Sequence, residues 1–373
     1  MKNAKRLTAL LLSVGILAAG MSGCGGSTDP DASASTSPDA SASPTVAAEA
    51  HTAPDFAEDT LILTIAGKPV YWPEFKYWLN YSLQYSGASQ AGAVDWDAEY
   101  SDGLTLREYI LQDAVKAVAL YRVIDKTAEE MGLEISEADN ANIDSIIQSN
   151  RSYFETDEEY DNYLAENYLS NDLMEYLLRA SCNYYNIFVR MFGENGEQVS
   201  DADALAYGAD NGFYRAKHIL LAAKDADGNE YSEDEMQQKF ETLQGLLEQL
   251  RSSSEPTVLF DELMSEYSED PGLATYPEGY QFTAGTMDSD FQAALEKLDD
   301  YGISDVVKIR DGYTIIMRLP LDPDGVALAD GYGYTLRYNT ANHEYETLAN
   351  TWVEEAEIVY SEDYARVDPS DWF

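Results

Sequence analysis

The segment 214–319 constrains the fold of this chain more than any other part of the sequence. It contains four short strings in a fixed order: YRAKHILL, SEDPG, GTMDSDFQAAL and GYTIIMRL. The first and the last are apolar runs with the residue types of buried strands. In SEDPG, proline and glycine force a turn and leave Asp270 at its start. The segment therefore predicts one small domain in which strands and helices are mixed.

Further elements can be predicted between these strings. Ser232 and Glu235 have the spacing of a capping box, and apolar residues recur at helical spacing over 236–250. A shorter helix is predicted at 258–267, and the string YPEGYQFTAG reads as a loop. The dipeptide Asp311-Gly312 favours a tight hairpin. A third helix and the two hairpin strands are predicted at 289–298, 306–309 and 313–319.

The strings and their order resemble the parvulin family of peptidyl-prolyl cis-trans isomerases. The resemblance implies that His218 matches the family's first active-site histidine and Asp270 its cysteine-or-aspartate position. Met287 and Phe291 match the walls of the slot that holds proline. The family's second histidine stands third in a GYHII string, where this chain has Thr314. This departure implies an attenuated isomerase.

The reaction that the resemblance implies is rotation about an X-Pro peptide bond. Its uncatalysed barrier is roughly 18 to 20 kcal/mol, because the twisted amide loses its resonance. The rotation requires no nucleophile, since an apolar slot beside a dry polar wall can favour the twisted state by differential binding. We therefore expect a proline slot and a polar wall, and no cofactor. The slot is assigned to Met287, Phe291 and Phe282, and the wall to His218, Asp270 and Thr314.

Charge limits the class of partner. The chain has 68 acidic and 23 basic residues and a formal net charge of -45, which argues against nucleic acid and anionic membrane surfaces. Unfolded or newly secreted polypeptides are the predicted partners. The loop AAKDADGNEYSED carries one lysine among its acids, which predicts no preference for phosphorylated substrates.

No metal site is predicted. The histidines are too dispersed for a zinc site, and the acidic loop lacks the glycine in the sixth place of a calcium loop.

The N-terminal residues predict export. Three basic residues precede an apolar run at 7–21, which is short for a membrane span and typical of a signal peptide. The run ends in MSGC, which resembles the lipobox of bacterial lipoproteins and implies lipidation of Cys24. The alternative is an ordinary signal peptide that happens to contain this cysteine. Residues 25–57 have almost nothing to bury and are predicted to be a disordered tether. The predicted location is extracytoplasmic, with a lipid anchor in the bacterial cell membrane.

The remaining residues predict a helical lobe at 58–213. A hairpin around Gly67 is followed by helices with caps at Thr105, Ser136, Thr156 and Ser200. Cys182, in one of these helices, is predicted to be a small core residue without a disulfide. This organisation resembles foldases of the PrsA type and chaperones of the SurA type. The resemblance implies that the lobe binds unfolded chains and that 322–373 packs back on it.

The predicted fold class is therefore α+β. It combines a helical N-terminal chaperone lobe, completed by the C-terminal segment, with a parvulin-like α/β domain at 214–321 that has a small antiparallel sheet.

Two other functions remain open at this point. The chain could be a holdase chaperone whose parvulin-like domain is an attenuated or inactive scaffold, as Thr314 suggests. It could also be a solute-binding lipoprotein, which would require two lobes of alternating strands and helices. Residues 72–205 offer too few strands for that fold, so the foldase ranks first and the solute receptor last.

Overall fold

A computed structural model describes residues 53–88, 94–328 and 333–373. The predicted signal peptide with Cys24, and the tether as far as residue 52, lie outside these residues. The chain divides into two compact units, of which the first runs to Arg190 and takes in Tyr345–Phe373, and the second is Met191–Glu344. Both contain helices and antiparallel strands, so the prediction of an α+β fold is confirmed.

The described residues form nine strands and ten α-helices. The strands are β1 (Leu61–Ile65), β2 (Lys68–Tyr71), β3 (Glu99–Ser101), β4 (Leu104–Thr105), β5 (Phe213–Ala222), β6 (Tyr280–Thr283), β7 (Val307–Ile309), β8 (Gly312–Leu319) and β9 (Ile358–Tyr360). The helices are α1 (Trp72–Tyr85), α2 (Leu106–Glu130), α3 (Glu137–Arg151), α4 (Asp157–Glu166), α5 (Asn171–Phe192), α6 (Asp201–Asp210), α7 (Glu233–Ser252), α8 (Pro256–Tyr267), α9 (Ser289–Leu295) and α10 (Leu336–Glu354). None of these helices is long and apolar enough to cross a membrane.

A three-stranded sheet lies in the first unit. Strands β1 and β2 form the predicted hairpin, and its turn places Ala66 and Gly67 in the left-handed region with φ of 49° and 76°. The other edge of β1 pairs with β9, with Leu63 opposite Tyr360 and Ile65 opposite Ile358. The final segment of the chain thus supplies a strand to this sheet.

Helices α1 and α2 contribute large buried side chains to the core of the first unit. The Trp78 and Tyr121 rings lie 4.9 Å apart and both are almost fully buried. An ion pair is buried beside them, with Arg122 Nη2 at 2.7 Å from Glu74 Oε2. Helix α2 begins with the predicted capping box, since Thr105 Oγ1 accepts from Glu108 N at 3.3 Å.

A four-stranded antiparallel sheet in the order β6-β5-β8-β7 forms the centre of the second unit. Successive side chains of a strand point to opposite faces. Ile219 and Ile315 belong to the face that packs against α7 and α8, together with Leu243, Leu246 and Phe260. Ala216 and Ile316 belong to the other face, which packs against Phe282 and Phe291. His218 lies opposite Ile316 and therefore faces the second cluster.

The structure differs from the predicted elements of this unit in one important place. The string YPEGYQFTAG was predicted to be a loop, but it contains β6, which pairs with the first half of β5. Helix α9 ends at Leu295, three residues before the predicted end.

The limits of the second unit also differ from the predicted 214–321. The Gln281 side chain bonds the backbone of Asp322 and Gly325, and Leu336 packs with Phe213. These contacts connect residues before and after the predicted limits to the sheet of this domain.

Candidate active site

A cleft of about 460 Å³ lies in the second unit beside the second half of β5. It contains four of the six predicted residues of the slot and the wall, namely His218, Asp270, Met287 and Phe291. The other lining residues are Leu220, Ala222, Ala223, Lys224, Glu269, Pro271, Tyr280, Thr286, Asp288, Ile309, Arg310 and Asp311.

His218 stands in the middle of β5 with only 9% of its surface exposed. Its ring meets the Phe291 ring edge-on at a centroid distance of 5.4 Å, and Nε2 lies 3.9 Å from Asp270 Oδ2. Nδ1 has no hydrogen-bond partner among the described residues. Burial lowers the pKa of His218, and the nearby Asp270 carboxylate only partly opposes this effect. The imidazole is therefore neutral at neutral pH.

Asp270 reaches the cleft because the segment after α8 is bonded to β5. Glu269 N donates to Leu220 O at 2.7 Å, and Leu220 N donates to Ser268 Oγ at 3.1 Å. Asp270 Oδ1 then accepts from Gly272 N at 3.1 Å, within the turn that the proline and glycine of SEDPG predict. The side chain is 12% exposed. The local fold thus fixes this carboxylate next to His218.

The apolar side of the cleft consists of Met287 and Phe291. Phe291 is buried in the first turn of α9, and the half-buried Met287 precedes the cap residue of that helix, Asp288. Asp288 caps the helix by accepting from Asp290 N at 2.9 Å, and it also accepts from Arg310 N at 3.2 Å. The cap thus fixes the first turn of α9, which carries Phe291, at the side of the cleft.

Thr314 and Phe282 are not part of the cleft surface. Thr314 is fully buried in β8, and its hydroxyl donates to Ile219 O at 3.1 Å rather than to His218 or Asp270. Phe282 is also fully buried, with its ring 6.2 Å from that of Phe291. Phe282 therefore lies behind Phe291 and away from the cleft surface, and the hydroxyl of Thr314 faces the backbone.

Tyr280 also lines the cleft, and the sequence did not predict it. Its hydroxyl donates to Asp270 Oδ2 at 2.5 Å, and its ring lies 5.7 Å from that of His218. Burial and the adjacent carboxylate raise the pKa of Tyr280, so the phenol remains a neutral donor. The local sequence around Tyr280 predicts a loop. The strand β6 forms only by pairing with β5, which is a non-local contact.

Comparison with known proteins places this cleft in a recognised domain. Residues 218–319 match a rotamase family model described as a PPIC-type PPIASE domain. A search of curated proteins finds no match for the chain.

The chain is also similar to several solved structures. The peptidylprolyl isomerase PrsA from Bacillus anthracis is 19% identical, with coverage of 65% of this chain and 94% of that chain and a TM-score of 0.23. The parvulin NmPin of Nitrosopumilus maritimus is 27% identical, with coverage of 29% and 96% and a TM-score of 0.21. A SurA-like chaperone of Campylobacter jejuni is 15% identical, with coverage of 79% and 93% and a TM-score of 0.23.

The family match begins at His218, in the middle of β5, and includes the turn with Asp270 and the helix with Phe291. The predicted resemblance to parvulins is thereby confirmed. Residues 218–319 form a PPIC-type rotamase domain, the domain of the parvulin-type peptidyl-prolyl cis-trans isomerases.

Proposed function

We propose that this isomerase is an exported, lipid-anchored foldase that acts on X-Pro bonds of newly secreted, unfolded polypeptides. The observation that carries the proposal is the cleft, which brings a polar pair, His218 and Asp270, to face an apolar slot, Met287 and Phe291. A proline ring fits an apolar slot, while the peptide bond before it requires polar neighbours. The four residues provide both in one half-enclosed site.

Catalysis in such a cleft is differential binding. The proline ring would lie between Met287 and Phe291, with the peptide bond before it towards His218. A neutral imidazole can donate or accept a hydrogen bond as the amide loses its planarity. Each tenfold gain in rate requires about 1.4 kcal/mol of extra binding to the twisted state.

The direct test is isomerisation of an unphosphorylated X-Pro peptide by the full chain and by variants of the cleft. Phe291→Ala should raise KM, because it opens the slot, whereas His218→Ala should mainly lower kcat. Phe240→Ala is the matched control, since Phe240 packs against Tyr313, and neither of these residues lines the cleft. Equal kinetic effects of Phe240→Ala and Phe291→Ala would contradict the assignment of the slot.

The charges around the cleft favour substrates without phosphate. Lys224 Nζ lies 3.8 Å from Glu230, and Arg310 bonds the neighbouring Asp311 at 3.2 Å. Both basic side chains thus already face a carboxylate, and a phosphate group would have to displace it. A phosphorylated residue before the proline should therefore bring no gain in kcat/KM.

The first unit offers a surface for the unfolded polypeptide itself. A second cleft, of about 870 Å³, is lined by aromatic side chains with polar tips, among them Tyr71, Trp72, Tyr168 and Tyr176. Such side chains make adaptable contacts with exposed apolar segments. These side chains support the proposal that the protein binds an unfolded client in addition to isomerising X-Pro bonds.

Anchoring rests on the MSGC string and the tether-like composition that follows it. Cys24→Ser should abolish lipidation and move the protein into the aqueous phase of a detergent separation. Unchanged partition of this variant would refute the lipid anchor and leave the alternative of an ordinary signal peptide.

A holdase without useful isomerase activity is the second candidate. The observation that favours it is the hydroxyl of Thr314, which is bonded to Ile219 O instead of facing the cleft. Thr314→His separates the two functions, because it restores an imidazole at this position. A holdase would suppress client aggregation while neither the native chain nor the variant isomerises a peptide.

A further inference from the structure

The carboxylate of Asp270 is held at both of its oxygens. Oδ1 accepts from Gly272 N at 3.1 Å, and Oδ2 accepts from the Tyr280 hydroxyl at 2.5 Å. The same Oδ2 is the atom that faces His218 Nε2 at 3.9 Å. A short hydrogen bond to a carboxylate is among the stronger polar contacts in a protein. The phenol therefore determines where this oxygen lies relative to the imidazole.

Two glycines in the backbone allow the Tyr280 hydroxyl to approach Asp270. A Cβ atom at Gly272 would stand 2.0 Å from the Tyr280 hydroxyl, so only glycine leaves room for it. Gly279 has a φ of 93°, and a Cβ there would lie 2.6 Å from Ala216 O, so glycine also lets β6 approach β5 closely. Tyr280 pairs with Ala216, two residues before His218, which places both side chains on the same face of the sheet.

Strand β8 supplies no comparable donor to the polar pair. Thr314 lies opposite Leu220, on the face of the sheet that carries His218, but its hydroxyl is used by Ile219 O. The side chain that reaches Asp270 comes from β6 on the other side of β5.

We propose that Tyr280 is a positioning residue for the isomerase reaction, whose hydroxyl holds Asp270 Oδ2 and keeps it from moving closer to His218 Nε2. The hydroxyl supplies from β6 the polar contact that β8 does not provide. This inference rests on the proposed role of His218 and Asp270 as the polar pair of the cleft.

Tyr280→Phe should release Asp270 Oδ2 and allow it to turn towards His218 Nε2. A closer carboxylate would engage the imidazole, so kcat should fall about tenfold while KM changes less than about twofold. The closer carboxylate should also raise the pKa of His218. The other charged groups that line the cleft are the same in both proteins; they are Lys224, Glu269, Asp288, Arg310 and Asp311.

The experiment compares the full-length native chain with Tyr280→Phe and with the control Tyr276→Phe. The Tyr276 ring lies 5.1 Å from that of Tyr280, but its hydroxyl is not bonded to Asp270. Each protein is assayed on an unphosphorylated X-Pro peptide, and the His218 imidazole is titrated by NMR. We expect the loss of kcat and the raised pKa of His218 in Tyr280→Phe alone.

Two results would overturn the proposal: a kcat for Tyr280→Phe equal to that of the control, or an unchanged titration of His218. If the native chain does not isomerise the peptide, the proposed function fails. The titration of His218 then decides the role of Tyr280 by itself.

Discussion

Burial has a larger effect than any neighbouring charge on the protonation of His218. The imidazole lies on a central strand with 9% exposure, and desolvation lowers its pKa from the usual 6.5. Asp270 acts in the opposite direction, but at 3.9 Å it does not make a full ion pair. The neutral ring can donate a hydrogen bond through one nitrogen and accept one through the other.

The lowered pKa of His218 predicts how stability depends on pH. As pH falls through 6.5, the unfolded chain takes up the histidine proton before the folded chain does, so acid favours unfolding. The free energy of unfolding of the second unit should therefore decrease between pH 7 and pH 5.5. In His218→Gln the free energy of unfolding should decrease less over this pH range, whatever its value at pH 7. Urea unfolding, monitored through the NMR signals of β5 residues, measures this free energy. An equal decrease in the native protein and in His218→Gln would contradict the prediction.

Sequence reasoning finds the site residues that local strings mark, and it misses those that depend on orientation. His218, Asp270, Met287 and Phe291 lie in such strings, and the structure brings them into one cleft. The contact of Tyr280 with Asp270 depends on β6 pairing with β5, which no local pattern specifies. The bond from Thr314 to Ile219 O depends on the rotamer of a buried side chain, which the sequence does not encode locally either.

Helices were predicted better than strands for the same reason. A capping box is complete within four residues, and Thr105, Ser136 and Ser232 all cap helices as predicted. Strand β6 has four residues, and its partner lies far away in the sequence. A turn-rich string such as YPEGYQFTAG therefore reads as a loop until the sheet around it is known.

The cap of α2 predicts a measurable contribution to stability. Thr105→Ala removes the acceptor for Glu108 N and should lower the free energy of unfolding by about 1 kcal/mol. Tryptophan fluorescence during urea unfolding measures this change. Thr351→Ala is the matched control, since Thr351 lies inside α10, where its hydroxyl only donates to Thr347 O. A loss of stability in the control equal to that of Thr105→Ala would argue against a specific effect of the cap.

The path of the chain through its two units could not be predicted in detail. The sequence predicts domain limits at 213/214 and 321/322, whereas the chain passes from one compact unit to the other after Arg190 and after Glu344. The contacts that place residues beyond 321 in the second unit, such as those of Gln281 with Asp322 and Gly325, join residues far apart in the sequence. The β9 strand is a similar case, because its three residues acquire a role only beside β1.

The pairing of β9 with β1 predicts that the first unit depends on the end of the chain. A variant that ends at Glu357 exposes the edge of β1 and removes Trp372, whose ring lies 4.5 Å from that of Trp72. Its melting temperature should fall by about 5 °C or more.

Tryptophan fluorescence isolates this effect, because all five tryptophans lie in the first unit: Trp72, Trp78, Trp96, Trp352 and Trp372. Peptide isomerisation should persist at low temperature, since every residue of the isomerase cleft lies in the second unit. Val359→Ala is the control, because this side chain is 55% exposed and the substitution keeps the strand. Unchanged melting of the truncated protein would mean that β9 does not stabilise the first unit, and that a sheet of β1 and β2 alone suffices.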